Sequence, residues 1–209
     1  MVATDPPGGD DPVIVVPEVR DYTRINAELT RLLDAGHHRV RLAGVDGQRL
    51  LAQGLRGNWS AEVIVEGNAG PELAADLLAP GLTVSCTGGA SDGAGRGLRL
   101  GRLLIHGDTG AAVGYAQAGG MIIVYGSAGP RAGLDQSGGE LMILGSVDRL
   151  AGERQRRGTI ALFGDHIGPF SGHGRSGGQI LRGIEGYEFF RNSLLMCVEA
   201  AERSRRRTS

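Results

Sequence analysis

Five histidines, two cysteines and 23 carboxylates are the groups with which this chain could do acid–base, nucleophilic or metal chemistry. Their spacing argues against each. His37 and His38 are adjacent, so their side chains diverge, and no third ligand stands near them to close a metal site. Cys86 and Cys197 are too far apart for a metal-ligand pair and read as small buried hydrophobes. His106, His166 and His173 fall on different corners of a repeat, with no acid or nucleophile beside them. Asp108 and Asp165 are separated by three repeats, roughly 14 Å at parallel-strand spacing, which is too far for a working carboxylate pair. Gly172-His173-Gly174-Arg175-Ser176-Gly177 has the letters of a dinucleotide fingerprint, but it neither follows an isolated strand nor opens a helix. All 22 basic residues are arginine, which removes Schiff-base and phosphate-loop lysines. No catalytic, cofactor-binding or metal-binding residue is therefore assigned to this chain.

The element that dominates the sequence is a repeat. Leu103-Leu104-Ile105-His106-Gly107 is followed by Ile122-Ile123-Val124-Tyr125-Gly126, Leu141-Met142-Ile143-Leu144-Gly145, Ile160-Ala161-Leu162-Phe163-Gly164 and Gln179-Ile180-Leu181-Arg182-Gly183. The closing glycines are 19 residues apart, and Gly101, Gly120, Gly139, Gly158 and Gly177 keep the same step, as do Gly114, Gly133 and Gly152. Earlier runs end at Gly44, Gly67 and Gly88, with steps of 23 and 21, so the first coils carry short insertions. One strand-length apolar run per period of about 20 residues means stacked coils. The runs all point the same way along the chain, so neighbouring coils pair in parallel. The expected fold is all-β: a single-stranded right-handed parallel β-helix of about seven to eight coils, with short N- and C-terminal helices.

Side chains two apart share a strand face. Two aliphatic columns, headed by Leu103 and Ile105 in their coil, therefore line the interior, and Gln179 is the one polar member, in the last coil. The outward column between them reads Arg41, Ile64, Ser85, Leu104, Ile123, Met142, Ala161, Ile180. An apolar stripe on an outer wall predicts a cover. That cover is the chain's own helices or, for part of the stripe (Ile64, Leu104, Ile123, Met142 and Ile180), a partner protein. Asn68, Asp108, Ser127, Ser146 and Asp165 follow the closing glycines and read as turn caps bonding local backbone amides.

The domain reading places a disordered lead at 1–17, an N-terminal helix and connection at 18–38, the β-helix at 39–186, and a C-terminal helix with a basic tail at 187–209. The helix over Asp21–Ala35 has Asp21 or Thr23 as cap, Ile25, Leu29, Leu32 and Leu33 as its apolar face, and Gly36 as its stop. The second helix covers Tyr187–Arg203. A net charge of −1 suggests no nucleic-acid or anionic-membrane partner. The start lacks the pattern of a signal peptide and no apolar run approaches membrane-spanning length, so the expected location is cytoplasmic.

Gly107-Asp108-x-Gly110-x-x-x-Gly114 and Gly126-Ser127-Ala128-Gly129-x-x-x-Gly133, with Gly119-Gly120 and Gly138-Gly139 between coils, resemble the Gly-x-x-Gly-x-x-x-Gly pattern of one family. This is the C-terminal β-helix domain of the glutamate synthase large subunit. The same domain stands alone as the C subunit of formylmethanofuran dehydrogenase and as a small subunit of N-methylglutamate synthase-type complexes. Arg24-x-Asn26-x-x-Leu29 and Gly47-Gln48-Arg49 fit the same pattern, and the resemblance covers about residues 20–183. Gly88-Gly89-Ala90-Ser91-Asp92-Gly93 and Val147-Asp148-Arg149 depart from it.

The resemblance implies a non-catalytic scaffold subunit of an oxidoreductase complex in glutamate metabolism. Its partners would be a glutaminase-like subunit and an FMN-binding, glutamate synthase-like subunit, with FMN and an iron–sulfur cluster held by those partners and none here. The alternative is the structural subunit of a formylmethanofuran dehydrogenase-like complex. A β-helix acyltransferase is more remote, because its coil has about 18 residues with an aliphatic residue at every sixth position on three faces, whereas here one face reads as aliphatic and the step is 19.

Overall fold

A computed structural model of the chain describes residues 11–19, 21–189 and 191. Its strands form one parallel nine-stranded sheet in sequence order: β1 (Val13–Val15), β2 (Arg39–Asp46), β3 (Ala61–Asn68), β4 (Leu78–Cys86), β5 (Leu100–Ile105), β6 (Ala118–Val124), β7 (Ser137–Ile143), β8 (Arg157–Leu162) and β9 (Gln179–Arg182). Helices α1 (Val16–Val19) and α2 (Tyr22–Asp34) lie between β1 and β2. Each strand after β2 is one coil further along the axis, so β2 to β9 bound seven full turns of a parallel β-helix. The fold class read from the repeat holds.

The two aliphatic columns point inward as expected. Leu103, Ile105, Ile122, Val124, Ile143 and Ile160 are fully buried. Burying one such side chain is worth about 1.5–3 kcal/mol. Two further interior lines run down the other side of the coil. One passes through Leu51, Leu73, Ala94, Val113, Ala132 and Ala151. The other begins as Leu55, Leu77 and Leu98, then changes to Gln117, Gln136 and Gln155, all three fully buried. A ladder of single bridges, Ala69–Ala90–Thr109–Ala128–Val147–Ile167, links the coils on a third side.

Close approach of neighbouring coils explains the closing glycines. A Cβ at Gly145 would lie 2.6 Å from the carbonyl carbon of Gly126, and one at Gly164 would lie 2.3 Å from that of Gly145. These positions exclude any side chain without calling on positive φ. The opposite corner does use positive φ, at alternate residues: Ala112, Gly114 and Ala116, then Arg131, Gly133 and Asp135 one coil on. The amides of these residues bond to adjacent coils, as in Ala112 N to Pro130 O at 2.8 Å and Gly114 N to Ala94 O at 2.8 Å. That bonding offsets a left-handed cost of roughly 1–2 kcal/mol at each non-glycine position.

Helix α2 matches its expected span. Asp21 caps it by accepting from Thr23 N at 2.9 Å, and Gly36, at φ 90°, lies just beyond its C-cap Ala35. It seals the first coil with Ile25, Leu29, Leu32 and Leu33 buried. Asn26 bonds the coil below in both directions, donating to Leu50 O and accepting from Ala52 N, each at 2.8 Å.

Four expectations need correction. The disordered lead at 1–17 is too long: Val13–Val15 pairs in parallel with β2, burying Ile14, and α1 follows it. The short apolar run Pro12-Val13-Ile14-Val15 supplies a strand to the open side of β2, and residues 1–10 lie outside the description. Second, the 19-residue step fails in the last coil, where Thr159 pairs with Gln179 and Ile160 with Ile180, a step of 20. The extra residue lies between Leu162, which still pairs with Ile143, and Ile167, which bridges Val147, and falls at Asp165-His166. Ile180 thus occupies the interior column and Gln179 does not. The glycine equivalent to Gly158 is Gly178, at φ 72°, rather than Gly177. Third, helical structure begins at 183 and runs through 189, earlier than Tyr187. The rest of the expected Tyr187–Arg203 helix, with the basic tail, lies outside the described residues apart from Arg191. Fourth, the interior has more than one lined side, since the small-residue and Leu/Gln lines were not anticipated.

Candidate interaction surface

The outer face of the sheet carries three neighbouring lanes, because outward residues on consecutive strands stack in line. The central lane runs Ile64, Ser85, Leu104, Ile123, Met142 and Ala161, with each residue paired to the next along the axis. Ile123, Met142 and Ala161 are buried at 4%, 5% and 2% exposure, so the chain itself covers this half of the stripe. Met121 joins their cluster, with Leu104 and Phe163 packed against it. The helical segment 183–189 reaches this cluster at Gly186, whose Cβ position lies 3.2 Å from Phe163 and 3.6 Å from Ala161. Ile64 and Leu104 are half-buried. The expectation of a partner over part of the stripe is thereby narrowed, and Ile180 leaves the stripe for the interior.

The lane beside it is open. Its residues directly precede the closing glycines: His106, Tyr125, Leu144 and Phe163. Tyr125 is 44% exposed and Leu144 39%, and the His106 ring stacks on Tyr125 with centroids 4.9 Å apart and planes 5° from parallel. An exposed aromatic–aliphatic lane thus borders the buried apolar cluster.

The residues singled out for chemistry are dispersed. His38 Nδ1 sits 3.0 Å from Ser60 O, while His106 is exposed on an earlier coil and His166 and His173 are exposed at different corners of the last one. Asp108 Oδ1 accepts from Ser127 N at 2.7 Å, Ser127 Oγ from Ser146 N at 3.1 Å, and Asn68 Oδ1 from Gly89 N at 2.8 Å. These side chains therefore tie each coil to the next one, not to local amides as expected. Cys86 is buried and its Sγ faces Gly67 O at 3.3 Å and Gly89 O at 3.4 Å. Burial pushes its thiol pKa up. Cys197 lies outside the described residues. Among the described residues, no three His, Cys, Asp or Glu side chains come together in a way that could hold a metal ion. No described helix is long and apolar enough to cross a membrane.

Two features were missed. The first is the glutamine ladder. Gln136 Nε2 donates to Gln117 Oε1 at 3.0 Å, and Gln155 Nε2 donates to Gln136 Oε1 at 2.8 Å. The remaining Nε2 bonds go to backbone carbonyls, including Gln117 to Glu140 O at 3.1 Å and Gln155 to Gln179 O at 3.2 Å. Its signal was plain in the sequence, three glutamines at the repeat step. The second is the composition of the last coil, where a slipped alignment hid which residues point inward.

Surface ion pairs also run between coils. Arg154 donates to Asp135 at 2.7 Å, and Arg131 lies 3.0 Å from Glu153 as an ion pair. The Arg154 guanidinium bonded to Asp135 holds that carboxyl below its ordinary range. No family model, no curated protein and no solved structure matches this chain.

Proposed function

We propose that this chain is the scaffold subunit of a glutamate synthase-like complex, placing a glutaminase-like subunit and an FMN-binding, iron–sulfur-containing subunit relative to one another. The sequence resemblance motivates the identity of the complex. The observation that carries the scaffold reading is the outer sheet face, where the His106–Tyr125–Leu144 lane stays open beside an apolar cluster the chain has already buried. A rigid stack of coils suits this role, since each coil contacts only its neighbours and the outer lanes form long straight tracks. The chemistry belongs to the partner chains, and this chain supplies geometry.

The test is purification of the tagged chain from its native cells. Recovery with a flavin- and iron–sulfur-containing chain and a glutaminase-like chain supports the reading. Recovery with a molybdopterin or tungstopterin enzyme assigns the chain instead to a formylmethanofuran dehydrogenase-like assembly. Recovery alone, with acyltransferase turnover, ends the scaffold reading.

A further inference from the structure

The two ends of the coil stack are finished differently. At the N-terminal end α2 closes the lumen with four buried apolar side chains. At the other end the interior lines emerge unsealed by any described residue. The line of Ala151 continues to Ser171, that of Gln155 to Arg175, that of Ile160 to Ile180 and that of Leu162 to Arg182. Two arginines thus occupy inward positions that hold glutamine and leucine one coil earlier. Ser171, Gly172, Arg175, Ile180 and Arg182 together line a concavity at this mouth.

Three further observations bear on what the mouth accepts. Each ladder glutamine offers its Oε1 to the amide of the next coil, but the last, Gln155, is fully buried and its Oε1 has no donor. Burying an acceptor without a partner is costly, and the next position along this interior line is Arg175. Next, β9 pairs with β8 alone among the described strands, and an edge without a strand partner is the kind of template that strand addition uses. Last, residues 149–182 contain six arginines (149, 154, 156, 157, 175 and 182) against two acids (Glu153 and Asp165), an excess of four positive charges in a chain of net charge −1. Of these arginines only Arg154 forms an ion pair among the described residues.

We infer that the C-terminal coil is a docking end for an extended, carboxylate-bearing segment of a partner protein, which pairs with that edge of β9 while its acids meet Arg175 and Arg182. Arginine forks suit carboxylates because two parallel N–H donors match two oxygens. The segment's backbone would continue the stack as one more rung. The inference deepens the scaffold reading by giving a second contact and its chemistry. Its test uses the isolated full chain, so its failure is distinct from a failure to recover the complex.

The experiment is a titration of a fluorescent oligo-glutamate peptide with the full chain at low salt, followed by anisotropy, together with hydrogen exchange of the β9 amides. The expected result is saturable binding that weakens with salt, is reduced at least about tenfold by R175E/R182E, and slows exchange at Ile180 and Arg182, whose amides face away from β8. The charge-matched control R24E/R99E, far from the mouth, leaves binding within about twofold of the unaltered chain. Ser171→Glu, a single charge change at the same mouth, repeats the loss if the arginine pair proves too disruptive to fold. Equal binding by R175E/R182E and R24E/R99E would overturn the proposal. So would binding without added β9 protection, or self-association of the chain abolished by R175E/R182E, which would make a second copy the occupant.

Discussion

At the scale of single residues, the tightest constraints are on glycines that touch backbone. Gly145 has no room for a methyl group, since its Cβ position falls 2.6 Å from the Gly126 carbonyl carbon. Gly145→Ala is expected to cost at least about 1–3 kcal/mol, the range for overpacking, because backbone on both sides must move. Denaturant unfolding checks it, and an unchanged midpoint with unchanged slope would contradict the close stacking of coils. Cys86 gives a second test. Burial raises its pKa, so the protonated, inaccessible thiol should resist a disulfide-forming reagent at neutral pH until the chain unfolds. Rapid labelling of Cys86 in the folded protein would contradict its place in the interior column. The ion pair of Asp135 with Arg154 has a defined sign. A carboxyl whose folded pKa lies below its unfolded value contributes stability that is present above the unfolded pKa and is lost as pH falls through the folded pKa. Asp135→Asn should therefore narrow the stability difference between neutral and strongly acidic pH, though only slightly for a surface pair.

At the scale of elements, the buried glutamine ladder makes the sharpest claim. Gln136 sits between two partners, so Gln136→Leu strands Gln117 Oε1 and removes one acceptor of Gln155 Nε2. A loss of about 1–3 kcal/mol is expected. Replacing Gln117, Gln136 and Gln155 together by leucine removes the glutamine–glutamine donors and acceptors jointly, leaves backbone carbonyls such as those of Glu140, Gly158 and Gln179 without their side-chain donor, and extends a line that already holds Leu55, Leu77 and Leu98 upstream. The triple variant should therefore lose less stability than three single losses combined in chemical unfolding. A triple loss equal to three single losses would show that the ladder works as separate bonds to backbone. The elements were also where sequence reading worked best and failed most clearly. The strands, their parallel order and the inward columns were legible because one period repeated with glycines as markers. Helix α2 was legible because Asp21, the Ile25–Leu29–Leu32–Leu33 spacing and Gly36 each state part of it. The inserted residue at Asp165-His166 was not, because the glycine pair Gly177-Gly178 lets the alignment slip by one without losing a glycine. That slip hid the inward placement of Arg175 and Arg182. Strand β1 was hidden for another reason: three apolar residues after prolines and acids resemble a tail until β2 offers them an edge.

At the scale of the whole molecule, the described residues form a stack of coils closed at one end by α2, with no described residue sealing the other, and faced along one side by apolar lanes. The inner lane at Ile123, Met142 and Ala161 is consumed by the chain's own packing. The lane at Tyr125 and Leu144 is not, and the last coil carries arginine instead of leucine and glutamine. The burial of the central lane was unreadable from sequence, since an outward apolar column looks the same whether the chain or a partner covers it. On this account the stack's stability and its working surfaces are separable, because Tyr125 and Leu144 contribute little to the core. The most direct measurement follows from that separation. Y125D/L144D should melt within a few degrees of the unaltered chain, yet it should fail to recover the flavin- and iron–sulfur-containing partner that the proposal expects the unaltered chain to bring down from native cells. Undiminished recovery by the double variant would contradict the claim that this outer lane is the surface through which the chain does its work.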